Sequence, residues 1–125
     1  MTSTAPLLST LESYLKLATS REQAISANMA NIDTPGYHTR DIDFEGELDK
    51  AMTTPTNEPD GGAGQFQLSP AVREVSGLME RPDGNNVSLD REGLLMSETQ
   101  LQYQIGVQLV KHEFHQMLSA INGGS

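Results

Sequence analysis

Apolar residues fall at Leu8, Leu11, Leu15, Ala18, Ile25, Met29 and Ile32, in steps of three and four, with Glu22 in the one vacant position. That spacing is a heptad seam sustained for nearly four repeats, and it predicts a helix from about residue 6 to 33. Such a helix is roughly 40 Å long at 1.5 Å per residue. Pro6 suits its first turn, with Thr4 or Ser3 as the cap. Tyr14, Leu17 and Ala24 widen the stripe, which brings more than one neighbour within reach. A helix this long and narrowly amphipathic needs a partner helix.

A second seam runs Tyr103, Val107, Val110, Phe114, Met117 and Ile121, and extended backwards it meets Met96 and Leu89. Beside it lies another stripe, Leu94, Leu101, Ile105 and Leu109, so the predicted C-terminal helix is apolar over a broad face. Ser88 or Asn86 can cap it, and Asp90 and Glu92 complement the positive end of its dipole. Gly93 and Gly106 each cost about 1 kcal/mol relative to Ala in a helix interior, tolerable where packing needs close approach or a bend. Asn122-Gly123-Gly124 ends the helix.

Between the helices the pattern loosens. Residues 41–60 hold seven acids against Lys50, and Ile42, Phe44 and Leu48 interrupt them. This reads as a short strand with one wet face followed by a helical turn. Residues 53–64 are rich in Thr, Pro and Gly and read as a flexible loop. Phe66 and Leu68, then Val72, Val75, Leu78 and Met79, suggest two short strands before the turn Pro82-Asp83-Gly84-Asn85-Asn86. The predicted fold is mainly α: two long N- and C-terminal helices forming a coiled coil, with a small irregular β insert between them. Residues 1–36 and 87–125 make the helical domain in this reading, and residues 37–86 the insert.

The hinge of the chain is Ala27-Asn28-Met29-Ala30-Asn31-Ile32-Asp33-Thr34-Pro35-Gly36-Tyr37. Pro35 lacks a backbone N–H and disfavours helical geometry at Thr34, so the first helix should stop near Asp33. Gly36 can take the positive φ that a sharp redirection needs. Asn28 and Asn31 stand three apart on one face, flanked by small Ala27 and Ala30 that let another backbone approach. Both amides are expected to bond an adjacent segment. The pattern suits an interface and contains nothing resembling reaction chemistry.

Composition narrows the function classes. At 125 residues the chain makes one domain, or one with a small appendage. It is 36% hydrophobic and 5% aromatic with no Trp, which gives a thin core. Its net charge of −9, from 17 acids and 8 bases, argues against nucleic acid or an anionic membrane as partner. Without cysteine there is no disulfide and no thiolate metal site, a usage compatible with an oxidising compartment. No run approaches the roughly 20 apolar residues of a membrane span, and no signal-peptide pattern opens the chain. Export, if it occurs, would proceed without a conventional cleaved signal.

Candidate chemistry fails on spacing. His112 and His115 stand three apart, whereas the zinc-protease helix needs four. His38 has no Cys, Asp or Glu nearby at ligand spacing. The acids of 41–60 lack the register of a calcium loop and read as a solvated face. Asn86-Val87-Ser88 matches a glycosylation acceptor, a pattern common by chance. No phosphate loop or nucleophile elbow is present, and the six Met residues are core or interface material. The pattern favours no enzyme, no cofactor and no metal.

The stretch Ala27–Tyr37 resembles the N-terminal signature of bacterial flagellar rod and hook proteins, of the form A-N-x-A-N-x-x-T-P-G-Y. Asp83-Gly84-Asn85-Asn86-Val87-x-Leu89-Asp90-Arg91-Glu92, followed by Gln102-Tyr103-Gln104, is similar to the proximal rod subunits of that family. The resemblance covers about two-thirds of the chain. It implies export through the flagellar type III apparatus and a place in the periplasmic rod. It also implies termini that are unfolded in the free subunit and order on assembly, in a tube whose inner wall is a coiled coil of terminal helices. The implied partners are other copies of the chain, neighbouring rod proteins, the MS-ring or rod adaptor, and export-gate proteins. The residues expected to carry assembly are Leu8, Leu11, Leu15, Ile25, Asn28, Met29, Asn31, Ile32, Pro35, Gly36 and Tyr37, then Tyr103, Val107, Val110, Phe114, Met117 and Ile121. A soluble helical adaptor or export chaperone explains the acidity and the seams equally well. It leaves the break at Thr34-Pro35-Gly36-Tyr37 without a purpose.

Overall fold

The computed structural model describes residues 5–53 and 70–123, as α1 (Ala5–Ala30), β1 (Arg40–Ile42), α2 (Phe44–Thr53), β2 (Val72–Glu74) and α3 (Leu89–Gly123). The fold is mainly helical, with a long helix at each end and a small two-stranded sheet between them. α1 and α3 run antiparallel. Asn28 meets Glu92 at one end of the pair, and Tyr14 and Leu15 lie against Gly106 at the other. The intervening spans are nearly equal on the two helices, about 20 Å at 1.5 Å per residue. α3 continues 17 residues past Gly106, whereas only ten residues of α1 precede Leu15. The tip of α3 therefore outreaches its partner.

α1 ends at Ala30, three residues before the boundary expected from the pattern. Its last turn tightens: Ile32 N–H donates to Met29 carbonyl (3.3 Å) and Thr34 N–H to Asn31 carbonyl (3.0 Å). These three-residue bonds wind the chain out of the helix before Pro35 is reached. Gly36 takes φ +75°, and the chain turns away.

The middle holds more helix than expected. The strand stops at Ile42, and Phe44 to Leu48 belong to α2, not to a strand and turn. Asp43 explains the switch. Its carboxylate accepts Gly46 N–H (3.3 Å) and its carbonyl accepts Glu47 N–H (2.8 Å), which is an N-cap. β1 pairs antiparallel with β2, with Arg40 opposite Glu74, Asp41 opposite Arg73 and Ile42 opposite Val72. The expected strand through Phe66 and Leu68 and most of the expected loop at 53–64 lie outside the described residues.

The apolar core is thin. Leu11, Leu17, Ala18, Ala24, Ile25, Ile42 and Val87 are buried, with Tyr14 packed edge-on against Phe44 (centroids 5.4 Å apart). Among the described residues only Leu17 and Ile25 are large apolar side chains with essentially no exposure, contributing about 1.5–3 kcal/mol each. Leu17, which the sequence placed beside the seam, is central because α2 and β1 cover that side of α1. An equal weight of polar side chains is buried: Asn28, Thr39, Asn85, Asn86, Glu92 and Thr99 among them. Four of these six belong to the two signature stretches.

Candidate assembly site

The buried polar groups form a clasp that joins the exit of α1 to the entry of α3. Asn28 is its centre, 1% exposed. Its Nδ2 donates to the Arg40 carbonyl (2.8 Å) and to Glu92 Oε2 (3.1 Å). Its Oδ1 accepts Arg40 N–H (3.0 Å) and the Tyr37 hydroxyl (3.0 Å). Both donors and both lone pairs of the amide are used, so its burial leaves nothing unsatisfied.

Around Asn28 the charges alternate. Arg21 of α1 bonds Asp41 of β1 (3.1 Å), Arg91 of α3 lies 4.0 Å from the same Asp41 oxygen, and Arg91 Nη1 donates to Glu92 Oε1 (2.8 Å). Glu92 is fully buried, and a carboxylate there is tolerable only because Arg91 and Asn28 both face it. Three elements are thereby tied by one chain of opposite charges.

The two signature stretches interlock directly. Asn85 Nδ2 donates to the carbonyls of Asn31 and Thr34 (2.9 Å each) just past the end of α1, where each already accepts a turn N–H, from Thr34 and Tyr37, and so gains a second bond. The Arg81 guanidinium donates to the Ile32 carbonyl beside them. Gly36 N–H donates to Asp83 carbonyl (2.9 Å). Asn86 Oδ1 accepts Thr39 N–H (2.6 Å), and the Thr39 hydroxyl donates to Asn86 carbonyl (3.2 Å). Gly84 sits so close to Gly36 that a Cβ on it would stand 3.2 Å from Gly36 Cα. The turn at 82–86 is thus seated on the turn at 34–37, and each needs its glycine. With Asn86 8% exposed and its amide engaged, the folded chain does not offer it as a glycosylation acceptor.

α3 is turned differently from the seam read in its sequence. Toward α1 it presents Glu92, Thr99 and Gly106, one per heptad and all buried. Val107, Val110 and Met117 are half-buried, whereas Tyr103, Phe114 (56%) and Ile121 (72%) are exposed. Leu94, Leu101, Ile105 and Leu109 are exposed as well. Small and polar residues face the partner helix, and the large apolar ones face outward. The physical reason is Gly106: without a side chain it lets α1 approach until Leu15 and Tyr14 fill the space of its Cβ.

These two features, the interlocked turns and the outward stripe, can be set against known proteins. The chain is 36% identical to the flagellar basal body rod protein FlgB of Salmonella typhimurium, over 89% of each chain. The chain belongs to the FlgB family of flagellar basal body rod proteins. It is 32% identical to FlgB of Escherichia coli (89% of each chain) and 30% identical to that of Yersinia ruckeri (88% of this chain, 89% of the relative). No family model matches the chain.

As a member of the FlgB family the chain distributes its expected assembly residues between two places. Asn28, Tyr37 and Gly36 enter the clasp, while Pro35 is exposed at the turn. Leu11 and Ile25 are buried within the single chain; Leu8, Leu15, Met29 and Ile32 are half-buried. Asn31 departs from expectation. Its side chain stays local, donating to Ala27 carbonyl (2.7 Å) and accepting the Thr34 hydroxyl (3.0 Å), and only its carbonyl reaches another segment. The sequence did not reveal Glu92 and Arg40 as the counterparts of Asn28, Asn85 as that of the Asn31 carbonyl, or Asn86 as that of Thr39. The signal was there in the second signature stretch, whose paired Asn residues follow a turn. His112 and His115 are exposed, and His112 Nε2 accepts from Gln116 Nε2 (3.1 Å). Among the described residues no group of three or more His, Asp or Glu could hold a metal ion, and no helix is long and apolar enough to cross a membrane.

Proposed function

We propose that the chain is a structural subunit of the proximal rod of the flagellar basal body. It assembles through its terminal helices into a tube that joins the MS-ring and export-gate side to the rest of the rod and transmits torque. The observation that carries this reading is the outward apolar stripe of α3. Leu94 (71%), Leu101 (58%) and Ile105 are unburied apolar side chains along one helix face, and a contiguous run of that kind marks an interaction site. Other copies of the chain and neighbouring rod proteins are its proposed occupants. Residues 1–36 and 87–125 form the assembling helical domain, and 37–86 the insert that contacts outer neighbours.

The clasp has a clear task in such a tube. It sets the angle between the helices and the insert, so that load on one is passed to the other through hydrogen bonds and ion pairs. The chain reaches the periplasm through the flagellar type III apparatus. Fractionation tests the reading: the chain co-purifies with hook–basal bodies, whereas an adaptor or chaperone stays in the cytoplasmic fraction. Replacing Asn28 and Asn31 together by Ala abolishes rod assembly and swimming, and wild-type motility in that variant would sink the role given to the clasp.

A further inference from the structure

His38 stands between two carboxylates that lie far from it in the chain. Its Nδ1 faces Glu74 Oε2 (3.3 Å) and its Nε2 faces Glu80 Oε1 (2.6 Å). A neutral imidazole has one N–H and one lone pair, so it can donate to only one carboxylate. Only the imidazolium donates to both. Glu74 closes β2 and Glu80 precedes the turn at 82–86, so the two bonds pin the two ends of the strap 75–79. That strap carries Gly77 at φ +83° and Met79, which is 93% exposed. Val75 N–H, donating to Thr39 carbonyl (2.9 Å), is the strap's other tie to the strand side.

We propose that His38 is a protonation-operated latch for the strap 75–79, holding both of its ends as imidazolium and at most one as neutral imidazole. Deprotonation removes one bond outright, turns a ring lone pair toward that carboxylate, and leaves the other bond with only the carboxylate's charge. Among the described residues no other cation is ion-paired with Glu74 or Glu80. Arg40 stands opposite Glu74 in the ladder, and Arg73 is opposite Asp41. Arg81 follows Glu80 but directs its guanidinium to Asp83 (3.8 Å) and the Ile32 carbonyl. The Glu74 bond first, then the Glu80 bond, raise the pKa of His38 above the ordinary histidine value. A histidine raised in the folded state holds its tie fully below the ordinary value and loses it as pH rises through the folded value. The latch is therefore closed in mild acid and opens on the alkaline side. It is independent of the rod assignment, since it needs only the single chain.

The test uses the full chain, with histidine proton NMR for the ring and amide hydrogen exchange for the strap between pH 5 and 9. His38→Gln identifies the resonance among the three histidines. The expected result is a His38 midpoint above the ordinary value that falls in Glu80→Gln and in Glu74→Gln. Protection of the 76–80 amides, corrected for intrinsic exchange, drops about two- to fivefold across that midpoint, the range of an exposed ion pair. In His38→Gln the corrected protection is flat with pH and low throughout. An ordinary midpoint, or protection unchanged across it, or the same pH dependence in His38→Gln, would overturn the proposal. Helical circular dichroism of each variant separates loss of the latch from loss of the fold, and a variant that unfolds is replaced by His38→Lys. Lysine keeps the charge at every pH of the series and is expected to keep protection flat and high; flat and low protection there counts against the latch.

Discussion

Asn28 faces Arg40 as one peptide group faces another across a β-ladder, donating to its carbonyl at 2.8 Å and accepting its N–H at 3.0 Å. The side chain of a helix thus occupies the edge of β1 that no strand covers. Aspartate has the same shape but neither donor. Asn28→Asp removes two hydrogen bonds and sets a carboxylate against buried Glu92 where Nδ2 now lies 3.1 Å away. We expect a loss of about 3–5 kcal/mol, as for an uncompensated buried charge. Asn31→Ala, with a half-exposed and purely local side chain, should lose no more than about 1 kcal/mol. Urea unfolding followed by circular dichroism measures both, and equal losses would remove the central place given to Asn28.

The two interior glycines of α3, Gly93 and Gly106, should respond in opposite directions. A Cβ at Gly93 meets nothing within 4 Å, so Gly93→Ala gains the ordinary helix preference, about 0.5–1 kcal/mol. At Gly106 a Cβ stands 2.7 Å from Leu15 Cδ2 and 3.1 Å from Tyr14 Cδ1. Gly106→Val forces the helices apart and is expected to cost about 2 kcal/mol or more. Thermal melts of the two variants, run side by side, decide the matter.

Gly84 combines a positive φ of 85° with its close approach to Gly36. Gly84→Ala should lose about 1–3 kcal/mol, from backbone strain and from lifting one turn off the other. Gly77, also at positive φ but in open space, should lose only the strain, about 1 kcal/mol. A Gly84 variant no weaker than the Gly77 variant would show that the turns are not seated as described.

Phe114 and Ile121 contribute little to the single chain. Phe114→Ser and Ile121→Ser should leave its unfolding free energy within about 0.5 kcal/mol, the usual range for exposed sites. In cells the same variants are expected to lose rod assembly, read by swimming in soft agar and by recovery of basal bodies. Unaltered swimming would mean that this face of α3 is not an assembly surface.

Much of the fold is legible in the chain because its signals are local. The 3–4 spacing places both long helices within a few residues, and Pro35 with Gly36 marks the break between them. Gly106 announces a close approach, though not to which residues. What stays hidden is nonlocal. Asn28 finds Glu92 across 64 positions, and His38 finds Glu74 across 36, distances at which spacing rules are silent. The direction of α3 is hidden for a subtler reason. Periodicity locates its apolar residues but not the face that meets α1, and the helix buries Thr99 and Gly106 there instead of Phe114. The helix at Phe44–Thr53 was obscured by alternation of Ile42 and Phe44, which Asp43 overrides by capping.

Asn85 holds the exit of α1 from a position 54 residues later than the Asn31 carbonyl it bonds. At a synthesis rate of about 5–20 residues per second, roughly 3 to 10 s separate the making of the helix end from the making of its cap. Through that interval the exit turn has its own local bonds but not the tie to the second half of the molecule. The joint is locked only when the second half of the molecule has been made, so a chain released early carries a bend held by local bonds alone.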